Sequence, residues 1–136
     1  MLELVAAESA ARGITCSFVN EAGQFCHALG EAEKIHQALL NLVLNSLDAM
    51  PHGGSLTIRT YVPEQQSRIC CEVRDTGVGI PAELLPTIHL PRISTKKNGL
   101  GLGLAKTYAI VEEHGGTIAC VSSPGQGTVF TVCLKS

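Results

Sequence analysis

The segment that most restricts the fold is EAEKIHQALLNLVLNSLDAMPHGG, residues 31–54. Its periodicity is helical over about 32–50, and Pro51, Gly53 and Gly54 supply the stop. At ~100° per residue, Ile35, Leu39, Leu42, Val43, Leu47 and Met50 share one broad apolar stripe. A helix with such a stripe must be covered by another layer, and a sheet fits it. Asn41, Asn45 and Asp48 form a second line, spaced i, i+4, i+7, roughly opposite the centre of the first. Asparagine is a mediocre helix former because its amide competes for backbone partners, so this line needs a reason.

The ordinary reason is a solvated face. Here, however, Leu40 and Leu44 flank the polar line and leave it as a narrow strip in an apolar setting. Amide and carboxylate oxygens in such a strip suit a hard cation such as Mg2+ that also holds phosphate oxygens. The helix alone does not decide between the two.

The rest of the chain supplies the covering layer. Residues 1–12 read as a helix stopped by Gly13, ITCSFVN (14–20) as a β-branched strand, and QFCHAL (24–29) as a short second strand. Residues 55–62 and 68–75 alternate as a hairpin around PEQQS, followed by a short helical turn at 82–86. A helix over 103–114 ends at Gly115, and GTIACVSS and TVFTVCLK form a second hairpin around PGQG. Strands in hairpins with helices inserted predict an α/β (α+β) two-layer sandwich. Its sheet is mixed and largely antiparallel, covered on one face by three main helices. With 136 residues, no repeat and no dividing linker, residues 1–136 are expected to form a single domain.

Composition removes several function classes. Charged residues are 16% and the net charge is −2, so neither a disordered tail nor a broad nucleic-acid surface is expected. Trp is absent and aromatics are 4%, which leaves no base-stacking platform. Cys16, Cys26, Cys70, Cys71, Cys120 and Cys133 lie mostly in β-like runs without a C-x-x-C pair. They read as small buried hydrophobes in a reducing cytosol, not as a disulfide framework or zinc site. The start MLELVAAESAARG has no signal-peptide pattern, and no apolar run reaches the ~18 residues of a membrane span, so a soluble chain is expected.

Two glycine loops carry the chemistry. In DTGVGIP, Asp75 stands at a strand end, where its carboxylate can accept a hydrogen bond from an exocyclic amine. Gly77 and Gly79 keep side chains away, so that a planar ring can approach the backbone. In GLGLGLA, Gly99, Gly101 and Gly103 alternate with leucine before a helix, freeing N–H groups for an anion at a helix N-terminus. Lys96 and Lys97 just upstream can neutralise phosphate charge. The spacing is neither that of a P-loop nor that of a dinucleotide fingerprint.

In order, QALLNLVLNSLDAMPHGG, VRDTGVGIP, STKKNGLGLGLA, IVEEHGG and SSPGQGTVFTVCL resemble the catalytic ATP-binding domain of a bacterial sensor histidine kinase. That domain belongs to the ATPase superfamily shared with gyrase, mismatch-repair and heat-shock chaperone ATPases. The wording NSLDAMPHGG and STKK is most similar to the nitrogen-regulatory type.

The resemblance implies ATP and Mg2+ as cofactors. It implies Asn45 as the Mg2+ ligand, with Asn41 beside it reaching metal or phosphate and Asp48 near the nucleotide. Asp75 would bind the adenine amine, with Gly77, Gly79 and Ile80 shaping the pocket. Thr95, Lys96 and Lys97 would belong to the lid, and Gly99, Leu100, Gly101, Leu102, Gly103 and Leu104 would wrap the triphosphate. Asn41, Asn45 and Lys96 would be the catalytic set.

Hydrolysing relatives carry a glutamate at the place of Asn41 as general base. An amide cannot take a proton at pH 7, so the site looks built to hold ATP for another nucleophile. In the family that nucleophile is a histidine on a separate dimerisation domain, which passes phosphate to a response regulator. His27, His36, His52, His89 and His114 lack the acceptor context and read as ordinary loop or surface histidines. The implied setting is cytoplasmic, in a parent protein of the type often anchored in the inner membrane, with no nucleic-acid partner and no membrane insertion by this chain. The competing functions are an ATP hydrolase, disfavoured by Asn41, and a non-catalytic ATP-binding module.

The lid departs from the family pattern F-x-P-F-F-S-T-K. His89, Arg92 and Ile93 stand where aromatics are usual, and Leu100 replaces a small hydroxyl residue. Loss of an aromatic anchor worth ~1–3 kcal/mol predicts a mobile lid, with ATP held chiefly through the Asp75 pocket.

Overall fold

The computed structural model describes residues 2–22, 31–64, 67–90 and 100–135. The expected strand at 24–29 and the lid residues 91–99 lie outside them. The elements run α1 (Leu2–Ala11), β1 (Ile14–Asn20), α2 (Ala32–Asp48), β2 (Gly54–Tyr61), β3 (Arg68–Asp75), α3 (Leu100–Glu113), β4 (Thr117–Ser123) and β5 (Gly127–Lys135). The helical turn expected at 82–86 appears as a single 3-10 turn, Leu85–Thr87.

The five strands form one sheet in the order β1-β2-β3-β5-β4. Both expected hairpins are present, β2 with β3 and β4 with β5, each antiparallel. They are joined by an antiparallel β3–β5 ladder that puts the last strand beside the middle one. β1 runs parallel to β2, from Ile14 opposite Gly54 to Asn20 opposite Thr60. A parallel pair needs a crossover, and the segment containing α2 provides it.

Strand alternation sorts the two faces. On β5, Phe130, Val132 and Leu134 are buried while Val129, Thr131 and Cys133 face the other side. The buried set meets Leu56, Ile58 and Val73 from the neighbouring strands. Val5 of α1, Leu42, Val43 and Leu47 of α2, and Leu104 and Val111 of α3 close over them. The stripe read from the sequence is thus the packed face of α2, with Leu42 and Leu47 at 0% exposure. Each such side chain contributes roughly 1.5–3 kcal/mol of burial.

Two contacts fix the ends of α2. His114, just past α3, sets its Nδ1 2.7 Å from the Ile110 carbonyl oxygen, while its Nε2 accepts the Glu31 backbone N–H at 3.0 Å. This histidine therefore staples the end of α3 to the start of α2, which is more than the ordinary loop residue expected. At the other end, Arg12 donates to Asp48 at 2.7 Å.

The reading of all cysteines as separate thiols is corrected. Cys70 and Cys133 lie directly opposite in the β3–β5 register and are joined by a disulfide across 63 residues of sequence. Cys16, Cys71 and Cys120 are free. Register decides which cysteines meet, and register between strands so far apart in sequence is not visible in the alternation of either.

Candidate functional site

Asp75 ends β3, between Leu56 of β2 and Thr128 of β5, and is 4% exposed. One carboxylate oxygen, Oδ1, accepts the backbone N–H of Gly77 at 2.9 Å and that of Thr128 at 3.2 Å. Both bonds converge on the same oxygen, so among the described residues no backbone donor occupies Oδ2. Burial pushes the carboxyl up from its usual range; the Gly77 N–H, the Ser46 hydroxyl and the Thr128 N–H partly offset that by favouring the charge.

The loop after Asp75 is clamped on both sides. Val78 N–H donates to the Ala49 carbonyl at 2.9 Å, Ile80 N–H to Ser122 Oγ at 2.7 Å, and Gly125 N–H to the Val78 carbonyl at 2.8 Å. A Cβ on Gly77 would strike the Ala49 carbonyl, and one on Gly79 would strike the Ser123 carbonyl. Gly79 also has a φ of +76°. These glycines are thus required by close backbone packing against α2 and the β4–β5 turn. The sequence reading had assigned them to ligand clearance. Ile80 is partly buried against the core.

The polar line of α2 is not a solvated face. Asn45 is 9% exposed, and its Nδ2 has no hydrogen-bond partner. Ser46 beside it is 2% exposed, and its hydroxyl, close enough to favour the Asp75 charge, completes no hydrogen bond. An unpaired buried amide costs about 1–3 kcal/mol, so the strip is built for something that supplies a partner. Asn41, one turn earlier, sets its Nδ2 3.5 Å from the Gly103 carbonyl, a long contact that brings the line against the first turns of α3. Asp48 is held by Arg12 and so has a structural partner, leaving Asn41 and Asn45 as the α2 side chains available to a ligand.

α3 begins at Leu100, earlier than the expected 103, so Gly101 and Gly103 are helical. A glycine costs a helix about 1 kcal/mol relative to alanine. At Gly103 no atom of the described residues explains that cost, because an added Cβ would meet nothing among them within 4 Å. Asn41 approaches the carbonyl of the same residue. The Gly103 carbonyl is held by Thr107 Oγ1 at 2.9 Å, and Leu104 is 3% exposed in the core. Leu100, Gly101 and Leu102 lie in the same first turn. Thr95, Lys96, Lys97 and Gly99 fall outside the described residues.

At the entry to the lid, Ile88 is 6% exposed in the core, and the His89 ring lies 5.8 Å from that of Tyr108 on α3. Arg92, Ile93 and the rest of the segment on which the expected mobile lid falls lie outside the described residues. Sequence reasoning also missed Ser46, Ser122 and Thr128. Their signal was weak, since hydroxyl residues beside Asn45 and in a hairpin gain meaning only once the loops are placed.

Among the described residues no three His, Cys, Asp or Glu side chains converge as a metal cage. A cation here would take few protein ligands. The orphaned Asn45 Nδ2 and the open space at Gly103 fit a phosphate oxygen, and an amide oxygen on the same side chain fits Mg2+ bound together with that phosphate.

Comparison with known proteins gives the family. The chain belongs to the family described as histidine kinase-, DNA gyrase B-, and HSP90-like ATPase, which matches residues 30–136. It is 40% identical over 133 residues to sensor histidine kinase ZraS of Klebsiella oxytoca, covering 98% of this chain and 28% of that protein. It is 37% identical over 103 residues to sporulation kinase A of Bacillus subtilis (strain 168), covering 76% of this chain and 17% of that one. The chain thus spans about a quarter or less of these relatives. Among solved structures, the catalytic domain of histidine kinase ThkA superposes with a TM-score of 0.83 at 28% identity, over 97% of this chain and 86% of that one. Full-length ShkA, in complex with AMPPNP, has the same fold at a TM-score of 0.83 and 23% identity, over 97% of this chain and 27% of that one.

Proposed function

We propose that this chain binds ATP with Mg2+ and donates the γ-phosphate to a histidine on a separate dimerisation domain of a cytoplasmic sensor kinase, with a response regulator downstream. The observation that carries the reading is Asp75: a carboxylate with 4% exposure, one oxygen saturated by two backbone N–H groups and the other without a backbone donor among the described residues. That oxygen suits an exocyclic amine such as adenine's. Asn45, with Asn41 beside it, would hold Mg2+ and phosphate, and the metal would neutralise charge on the transferred phosphoryl group. Gly101, Gly103 and the α3 N-terminus would receive phosphate oxygens, and Lys96 would close on them from the lid.

What remains for the chain's own residues is positioning and exclusion of water. Asn41 cannot take a proton from water, so transfer to an external nucleophile is favoured over hydrolysis. The test mixes the chain with Mg2+, γ-labelled ATP and a separately expressed acceptor-helix domain. Acid-labile, base-stable label on the acceptor is the expected result. Steady release of free phosphate without transfer would establish a hydrolase instead, and binding with neither would establish a non-catalytic module.

A further inference from the structure

The Cys70–Cys133 bridge lies on the sheet face turned away from the helices. Its strand neighbours on the core side, Ile69, Cys71, Val132 and Leu134, all belong to or pack on the hydrophobic core. Cys70 is 2% exposed, opposite Tyr61 on β2 and Cys133 on β5, whereas Cys133 is partly exposed. Two positions along the same ladder and on the same face, Arg68 stands opposite Lys135. The Lys135 side chain runs toward Gly115, and Glu72 flanks Cys70 on its other side, so Arg68 is the cation next to the bridge on this face; a cation beside a sulfur favours an attacking anionic thiolate and the thiolate that leaves.

The other described cysteines do not compete. Cys71 projects to the opposite face, and burial together with Glu72 pushes its thiol up to about 11. Burial pushes Cys120 up to about 11 as well, and it raises Cys16. All three remain thiols near neutral pH, so the bridge is the labile sulfur pair among the described residues.

We propose that Cys70 and Cys133 form a reversible dithiol–disulfide site whose partner is an anionic low-molecular-weight thiol and its disulfide, and whose state tunes the nucleotide site. The inference rests on the proposed ATP function in one respect: a chain working in the reducing interior that carries a disulfide has a bond that responds to oxidation. Reduction runs in two balanced steps. A thiolate RS− attacks Sγ of Cys133, the S–S bond breaks, and Cys70 leaves as a thiolate that takes up a proton. A second RS− attacks the RS sulfur of the mixed disulfide, releasing the Cys133 thiolate, which is protonated, and RSSR. Two small thiols are oxidised to one disulfide, and the bridge is reduced to two thiols.

The consequence follows from the register. The same β3–β5 ladder that pairs Cys70 with Cys133 ends at Asp75 opposite Thr128, whose N–H holds the Asp75 carboxylate. The bridge therefore stiffens the ladder on which Asp75 is set.

The chain is equilibrated with oxidised or with reduced glutathione, alkylated, and mapped by mass. In parallel its melting and its affinity for ATP–Mg2+ are measured in each state. Protection of Cys70 and Cys133 only in the oxidised sample is expected. Reduction should lower Tm by roughly 5–15 °C and weaken ATP by about threefold or more. The double variant Cys70→Ser with Cys133→Ser should lose the dependence on glutathione state. Alkylation of both cysteines in the oxidised sample overturns the site, and equal ATP affinity in the two states overturns the coupling. If neither state binds ATP, the nucleotide reading falls, and alkylation and melting alone then judge the sulfur site.

Discussion

At Asp75 two requirements pull in opposite directions. A carboxylate at 4% exposure destabilises the empty fold, and burial raises its pKa despite two backbone donors on Oδ1. The unfolded value is about 3.9. Between that value and the raised folded one, the folded state keeps a proton the unfolded state has lost. Stability from this group therefore falls as pH rises through the window and stays lower above it. Asp75→Asn removes the buried charge, while its Oδ1 can still accept from Gly77 and Thr128. The variant should melt at or above wild type, with a difference that grows as pH rises above about 4. It should also lose ATP affinity by about tenfold or more, because its Nδ2 would face the adenine amine donor to donor. A variant that melted lower at every pH, or bound ATP as wild type does, would remove Asp75 from the proposed role.

At the scale of elements, the informative piece is the first turn of α3. Glycine in a helix is a cost; in the loop after β3, by contrast, Gly77 and Gly79 are required because a Cβ would strike the Ala49 and Ser123 carbonyls. Gly103 has no such contact among the described residues. Gly103→Ala should therefore stabilise the empty chain by about 0.5–1 kcal/mol in urea unfolding, yet weaken ATP binding in calorimetry, because the methyl group enters the space proposed for phosphate. Gain of stability with unchanged affinity would show that the space is not used.

The same element shows how far the sequence could be read. Alternation gave both hairpins, and the 3.6-residue period gave the packed stripe of α2, because those patterns are local. The start of α3 was misplaced, since glycine and leucine in alternation look like a loop until packing draws them into a helix. The β3–β5 pairing, the disulfide, the Arg12–Asp48 bond and the His114 staple all join segments distant in sequence, and nothing local encodes them. At the site, Asn41, Asn45 and Asp75 were visible as polar residues out of place. Their partners Ser46 and Thr128 were not.

Over the whole molecule, the proposed ligand touches three separate elements. Asp75 belongs to the sheet, Asn45 to α2 and Gly103 to α3, while the long Asn41–Gly103 contact bridges the two helices. A ligand binding all three acts on the native state alone and stabilises it by mass action. At one hundred times its dissociation constant the gain is about 2.7 kcal/mol, which for a chain of 136 residues raises Tm by roughly 10 °C. The shift should require Mg2+ and ATP together, because in the proposed site the Asn45 amide oxygen holds the cation while its orphaned Nδ2 donates to a phosphate oxygen. GTP should give little, since its ring carries a carbonyl oxygen where adenine carries an amine, and an oxygen facing the Asp75 carboxylate is repelled. Asn45→Ala should abolish most of the ATP shift while leaving the melting of the empty chain near or above wild type, because it removes an unpaired buried amide. An equal shift with GTP would overturn the adenine assignment, and a full shift in the Asn45 variant would overturn the metal assignment.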